Sequence, residues 1–225
     1  MTESELYLIH YGVKGMKWGV KNGPPYPITD GTRRRELAID SAVRYQFDNI
    51  DHKNRDTYIS YTKQDREIYS NWIKSYANKN AYEFIYEFRN TLKIPSKKEQ
   101  RDVFDELCKD KTFMKALSQM NYCRELVNKN KDTDFSDPDV KKAIRNTNNN
   151  VILNKRSFQT FIEWFTLRSI SPDIDRGKNM FIDELKKRGY NAITDLNDYG
   201  SMAYDPLIVF DIYELINKVS VKKIL

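Results

Sequence analysis

Leu185-Lys186-Lys187-Arg188-Gly189-Tyr190-Asn191-Ala192-Ile193-Thr194-Asp195-Leu196-Asn197-Asp198, followed by Pro206-Leu207-Ile208-Val209-Phe210-Asp211, decides the fold class. Met180, Phe181 and Leu185 share one helical face, and that helix ends in the basic run Lys186–Arg188, where cations meet the negative end of the helix dipole. Gly189 stands one place past the end, where a left-handed residue closes a helix most cheaply. Tyr190–Asp195 then reads as a strand, Leu196–Ser201 as a polar turn, and Pro206–Asp211 as a second strand. The second strand is almost wholly apolar, which predicts a central position in its sheet. A helix feeding two consecutive strands predicts an α+β body, with mixed helices around a small β-sheet.

Upstream, Thr57–Thr62 is β-branched and aromatic and reads as a strand, and a helix opening at Lys63 carries Ile68, Tyr69, Trp72 and Ile73. Tyr82–Phe88 alternates over part of its length and is another strand candidate. Leu92-Lys93-Ile94-Pro95 ends it, and Ser96 with Glu99 forms a capping box for the next helix. Helical spacing continues to Asn130 in two helices that part at Asp110-Lys111, and Pro138 suits the first turn of another. Residues 157–169 carry a broad apolar stripe of Phe158, Phe161, Ile162, Trp164 and Phe165, which belongs to a core. Ser171-Pro172-Asp173 interrupts it. Leu37, Ile39, Val43 and Phe47 space as one helical face, so residues 32–50 are expected to be a helix capped by Thr32, with Arg33-Arg34-Arg35 solvated in its first turn. The segment from Glu214 onward reads as a Lys-rich tail.

The 225 residues suffice for one ordinary domain plus an arm, and 15 Tyr and 11 Phe make its core aromatic. The net charge is +6, but 32 acidic residues are interspersed among 38 basic ones, which a solvated surface explains. A nucleic-acid-binding face would need Arg33–Arg35, Lys97-Lys98, Lys141-Lys142 and Lys186–Arg188 to converge, and such dispersion argues against a specific nucleic-acid ligand. The two cysteines, Cys108 and Cys123, fit neither a disulfide scaffold nor a metal site, so no metal is expected and the thiols are read as reduced and buried. No stretch approaches the ~20 apolar residues a membrane span needs, and no signal peptide is read.

The turn after the first late strand gathers Asp195, Asn197 and Asp198. Carboxylates at a strand end can serve a metal, a ribose hydroxyl or the backbone of an Asx-turn. On the residues alone the Asx-turn is favoured. The run Leu185–Asp211, with Thr57–Trp72 and Leu92–Ser96 upstream, resembles ADP-ribosyltransferase-like domains encoded by phages. That resemblance implies NAD as cofactor, with Arg44 as the phosphate-binding arginine, and Ser60 and Thr62 on the strand that shapes the nicotinamide pocket. Asp195 or Asp198 then stands where the family has a catalytic glutamate. Positive charge develops at the anomeric carbon in such a transfer, so a well-placed carboxylate is essential. Aspartate is one methylene short, and a displacement near 1 Å can cost on the order of 100-fold in rate.

At the other end lies His10-Tyr11-Gly12-Val13-Lys14-Gly15-Met16-Lys17-Trp18-Gly19-Val20. Its glycines oppose a helix, and its aromatic and basic residues suit docking. The run resembles a motif of structural and head-associated proteins of tailed bacteriophages and prophages of Gram-positive bacteria. The resemblance implies a virion-associated protein, assembled in the bacterial host cytoplasm, that docks through His10, Tyr11, Gly12, Lys14, Gly15, Met16, Lys17, Trp18 and Gly19 on a head, portal or packaging partner. Asn22-Gly23-Pro24-Pro25, Pro27 and Asp30-Gly31 punctuate the chain, which predicts an arm over residues 1–31 and an ADP-ribosyltransferase-like domain over 32–225. The expected function is a virion structural protein with a degenerate transferase-like body and no cofactor. The alternative is an active NAD-dependent ADP-ribosyltransferase, packaged in the virion, that modifies a host protein.

Overall fold

In a computed structural model, residues 33–76, 80–130, 132–147, 153–154, 156–165, 170–198 and 202–225 are described. The predicted α+β class is the observed one: eight strands and six helices occur among these residues. They fall into two units, a helical one over residues 100–185 and a sheet-rich one made of 33–99 and 186–225.

The sheet-rich unit grows from the aromatic segment Tyr82–Phe88, strand β4. It lies between β2 (Ser41–Gln46) and β8 (Ile216–Lys223), antiparallel to both. A second antiparallel sheet has β7 (Leu207–Phe210) between β3 (Asp56–Ile59) and β6 (Ala192–Thr194). β7 is thus central, as its unbroken apolar run requires. A bridge joins the two sheets, in which Val43 and Ser60 exchange N–H···O bonds of 2.8 Å. β1 (Arg35–Leu37) pairs with β5 (Leu92–Ile94). One apolar cluster draws on all of these, including Ala42, Phe84 and Tyr86, Ile59 and Val209, and Leu92 and Ile94.

Helix α1 (Lys63–Lys74) is capped by Thr62, whose side chain accepts the Asp65 N–H. The Ser96–Glu99 box is formed as expected at the start of α2 (Lys97–Leu107): Glu99 accepts from the Ser96 N–H and hydroxyl at 2.8 Å, and Ser96 Oγ accepts the Glu99 N–H at 3.2 Å. Asp110 caps α3 (Lys111–Lys129), and Asp137 caps α4 (Pro138–Arg145) with Pro138 in its first turn. In the helical unit, α5 (Ser157–Glu163) and α6 (Pro172–Lys187) complete an aromatic core. Phe161 stands at its centre, with ring centroids of Phe104, Phe113, Phe165 and Phe181 4.9–5.6 Å away. Gly177 lets α6 pass close to α3, since a Cβ there would lie 2.4 Å from that of Ala116. Gly189 takes φ +85° beyond α6, as its place after the helix predicts.

Residues 33–50 are not a helix. They form β1 and β2. Leu37, Ile39, Val43 and Phe47 satisfy a helical period, but Ala42 and Arg44 alternate with Val43 and Tyr45. Pairing with β4 settles between the two readings, because sheet context outweighs local propensity. Residues 216–223 are likewise a strand rather than a tail. Helix α5 ends at Glu163, short of the expected 169. The expected cap Thr32 and the arm over residues 1–31 lie outside the described residues. No helix among the described residues is long and apolar enough to cross a membrane.

Candidate functional site

The turn after β6 carries the two carboxylates singled out from the sequence, and both are turned inward. Asp195 and Asp198 are each 4% exposed. Asp195 Oδ1 accepts the Asn197 N–H at 3.0 Å, an Asx-turn, while its own N–H donates to the Pro206 carbonyl at 2.9 Å. Asp198 Oδ2 accepts the hydroxyl of Tyr69, on α1, at 2.8 Å. The Asp198 carbonyl accepts from the N–H groups of Met202 and Ala203. Burial raises the Asp195 carboxyl to about 6, against the pull of the Asn197 and Asp198 N–H groups. Burial and then the charge of Asp195 hold Asp198 well above the usual carboxylate range. Two desolvated carboxylates this close do not both ionise readily.

Asp65, on α1, is a third buried carboxylate in this region. It accepts the N–H groups of Tyr204 and Asp205 at 2.7 and 3.0 Å, fixing the approach to β7. Asp205 is also without exposed surface. It takes both terminal nitrogens of Arg35 and the hydroxyl of Tyr61, and Arg35 Nη2 reaches Thr194 Oγ1 at 3.2 Å. Next to it, Arg34 pairs with Glu99, which also accepts the Tyr190 hydroxyl at 2.7 Å. Two members of the arginine run are therefore ion-paired on and beside β1 and not on a helix; Arg35 is largely buried, while the Arg34 side chain stays 66% exposed as the solvated reading expects. Sequence reasoning did not pick out Asp65, Tyr69 or Asp205. The one local signal was Asp65 in the first turn of a Thr-capped helix.

The residues carried over as NAD-binding have other surroundings. Arg44 lies opposite Phe84 on β2, and its charge acts on the hydroxyls of Tyr86 and Tyr213, both of which donate to Asp51. Arg44 Nη1 is buried and lacks a hydrogen-bond partner. Ser60 is 1% exposed and holds the bridge to Val43 through its backbone. Thr62 Oγ1 is engaged as the α1 cap at 3.1 Å. The interactions described for Arg44 run to Tyr86 and Tyr213. Those described for Asp195 and Asp198 run to Asn197, Tyr69, Tyr58 and Asp65. Among the described residues, no group of three His, Cys, Asp or Glu is placed to hold a metal ion. His10, Tyr11, Gly12, Lys14, Gly15, Met16, Lys17, Trp18 and Gly19 lie outside the described residues.

A profile of the group described as "Family of unknown function (DUF7211)" matches residues 1–25, a span that contains the whole of residues 10–20. No curated protein matches the chain. No solved structure matches it either.

Proposed function

We propose that this chain is a bacteriophage virion-associated protein that docks through residues 10–20, and that its body acts as a scaffold and performs no ADP-ribosyl transfer. The N-terminal motif supports the virion context through its resemblance to head-associated phage proteins. One observation carries the non-catalytic reading: the carboxylates at the late strand end are turned inward, each 4% exposed. Asp195 closes an Asx-turn and Asp198 receives Tyr69, so neither is offered to a ribose hydroxyl. A transferase needs its carboxylate preorganised at the developing oxocarbenium charge. In the docking arm, Tyr11, Met16 and Trp18 fill apolar pockets on a head, portal or packaging protein, and Lys14 and Lys17 meet an acidic rim.

The test has two arms. Calorimetry of the purified protein with NAD, with Arg44→Ala as control, is expected to give no heat up to millimolar NAD. Micromolar binding that Arg44→Ala abolishes would overturn the scaffold reading in favour of a packaged transferase acting on a host protein. Separately, gradient-purified phage particles are expected to contain the wild-type protein and to lose it on Trp18→Ala. Particles that retain the variant at wild-type level would overturn the docking role of the motif.

A further inference from the structure

We propose that the outer edge of β8 takes up an extended acidic segment of a partner protein by strand addition. This surface is independent of the N-terminal motif and of the virion reading. Among the described residues, β8 pairs with β4 alone, so its other side presents unpaired backbone. The register shows which groups face out. Ala81 bonds toward the chain end beyond β8, exchanging with Ile224 and Leu225, whereas the Phe88 N–H bonds away to Asp40 beside β2. Alternation along β4 then turns Glu83, Ile85 and Glu87 toward β8, where they meet Lys222, Ser220 and Lys218. The N–H and C=O groups of Val219, Val221 and Lys223 therefore point outward.

The side chains state what would fit. On one face the rows Glu83–Lys222 and Glu87–Lys218 alternate in charge, Lys218 reaching Glu87 at 3.7 Å. Continuing these rows calls for acidic residues opposite Lys218 and Lys222. On the other face Val219 packs against the core cluster, while Val221 is 46% exposed beside Lys223. That face calls for β-branched residues opposite the valines and a third acid opposite Lys223. A second copy of this chain fits poorly, because it would set one Lys-rich strand against another; lysines on an edge discourage such like-with-like pairing. Main-chain bonds supply affinity in strand addition and the alternating side chains supply selectivity.

The probe is a fluorescent peptide with the core Glu-Glu-Val-Thr-Val-Glu, written to run antiparallel to Lys223–Lys218, and a control with lysines in place of the glutamates. The full-length protein is expected to bind the acidic peptide at least tenfold more tightly than the basic one. Binding should slow amide exchange at Val219, Val221 and Lys223. Val221→Pro removes an outward donor and leaves the β4 ladder intact, so it should cost at least tenfold in affinity with near-UV circular dichroism unchanged. Lys223→Glu, which keeps every backbone group, should weaken binding several-fold. Equal binding of both peptides, or undiminished binding by both variants, would overturn the proposal. So would slow exchange of these three amides in the free monomer, which assigns the edge to another segment of this chain. A dimer in sedimentation that Val221→Pro dissociates would also overturn it, assigning the edge to a second copy.

Discussion

Asp205 is a fully buried, ion-paired charge in the sheet-rich unit. It has no exposed surface, and the Arg35 side chain that pairs with it is 15% exposed. Breaking a buried pair from one side leaves the other charge desolvated and costs roughly 3–5 kcal/mol. Asp205→Ala should therefore lower unfolding stability by about 3 kcal/mol in urea titration. Arg35→Met in the same background should restore a large part of the loss, because the stranded charge is then gone. A like loss for the single and the double variant would show that packing of Asp205, and not its charge, is what matters. Asp195 and Asp198 predict an unusual pH response. Their folded-state values lie above those of unfolded aspartate, so the native state binds more protons and their effect on stability falls as pH rises. For Asp195 the favourable contribution is complete below about 3.8 and is lost as pH rises through about 6. Asp195→Asn should flatten that part of the stability–pH curve between pH 4 and 7, measured by chemical denaturation. The turn itself was legible in the sequence as a strand followed by Asp195, Asn197 and Asp198. The inward facing of its carboxylates was not, because it depends on Tyr69, 129 positions earlier.

Among the elements, helix starts were the most readable, since Ser96 with Glu99 and Pro138 in its first turn act within four residues of themselves; the cap Thr62 is equally local but was read only as a strand residue. β2 and β8 were the least readable. Each is defined by β4, and the spacing of β2 serves a helix or a strand equally well. Close approach of α3 and α6 was equally hidden, because nothing around Gly177 marks it as a contact. Gly177→Ala would place a Cβ 2.4 Å from that of Ala116, so the helices must part. A loss of roughly 1–3 kcal/mol is expected in thermal or urea unfolding, and Ala116→Gly in the same chain should recover much of it. Phe161→Ala should cost more, roughly 3–5 kcal/mol, because it empties the centre of the aromatic core.

Among the described residues, the helical unit comes from one stretch of sequence, 100–185, while the sheet-rich unit is assembled from two stretches on either side of it in the sequence. Local contacts form faster than distant ones. Both cysteines lie in the helical unit, and burial raises Cys108 to about 11 and Cys123 to about 12, so neither thiol ionises near neutrality in the folded protein. Pulsed alkylation during refolding is expected to show Cys123 protected before Trp72, in the sheet-rich unit, reaches its native fluorescence. Simultaneous change at both positions would contradict that order. The class of the fold was legible because helices and strands are locally encoded, whereas the division into two units was not, since it is a property of pairing between distant segments.

That pairing has a consequence at the ribosome. β3 finds its partner only when β7 has been made, and Arg55 and Asp211, which tie the two together, are 156 positions apart. At roughly 5–20 residues per second, the Thr57-Tyr58-Ile59 segment emerges and then waits about 8–30 s for its neighbour. During synthesis it is an exposed, β-prone apolar stretch of the kind that holding chaperones bind, so the yield of soluble protein in a host should depend on translation speed across the helical stretch between them.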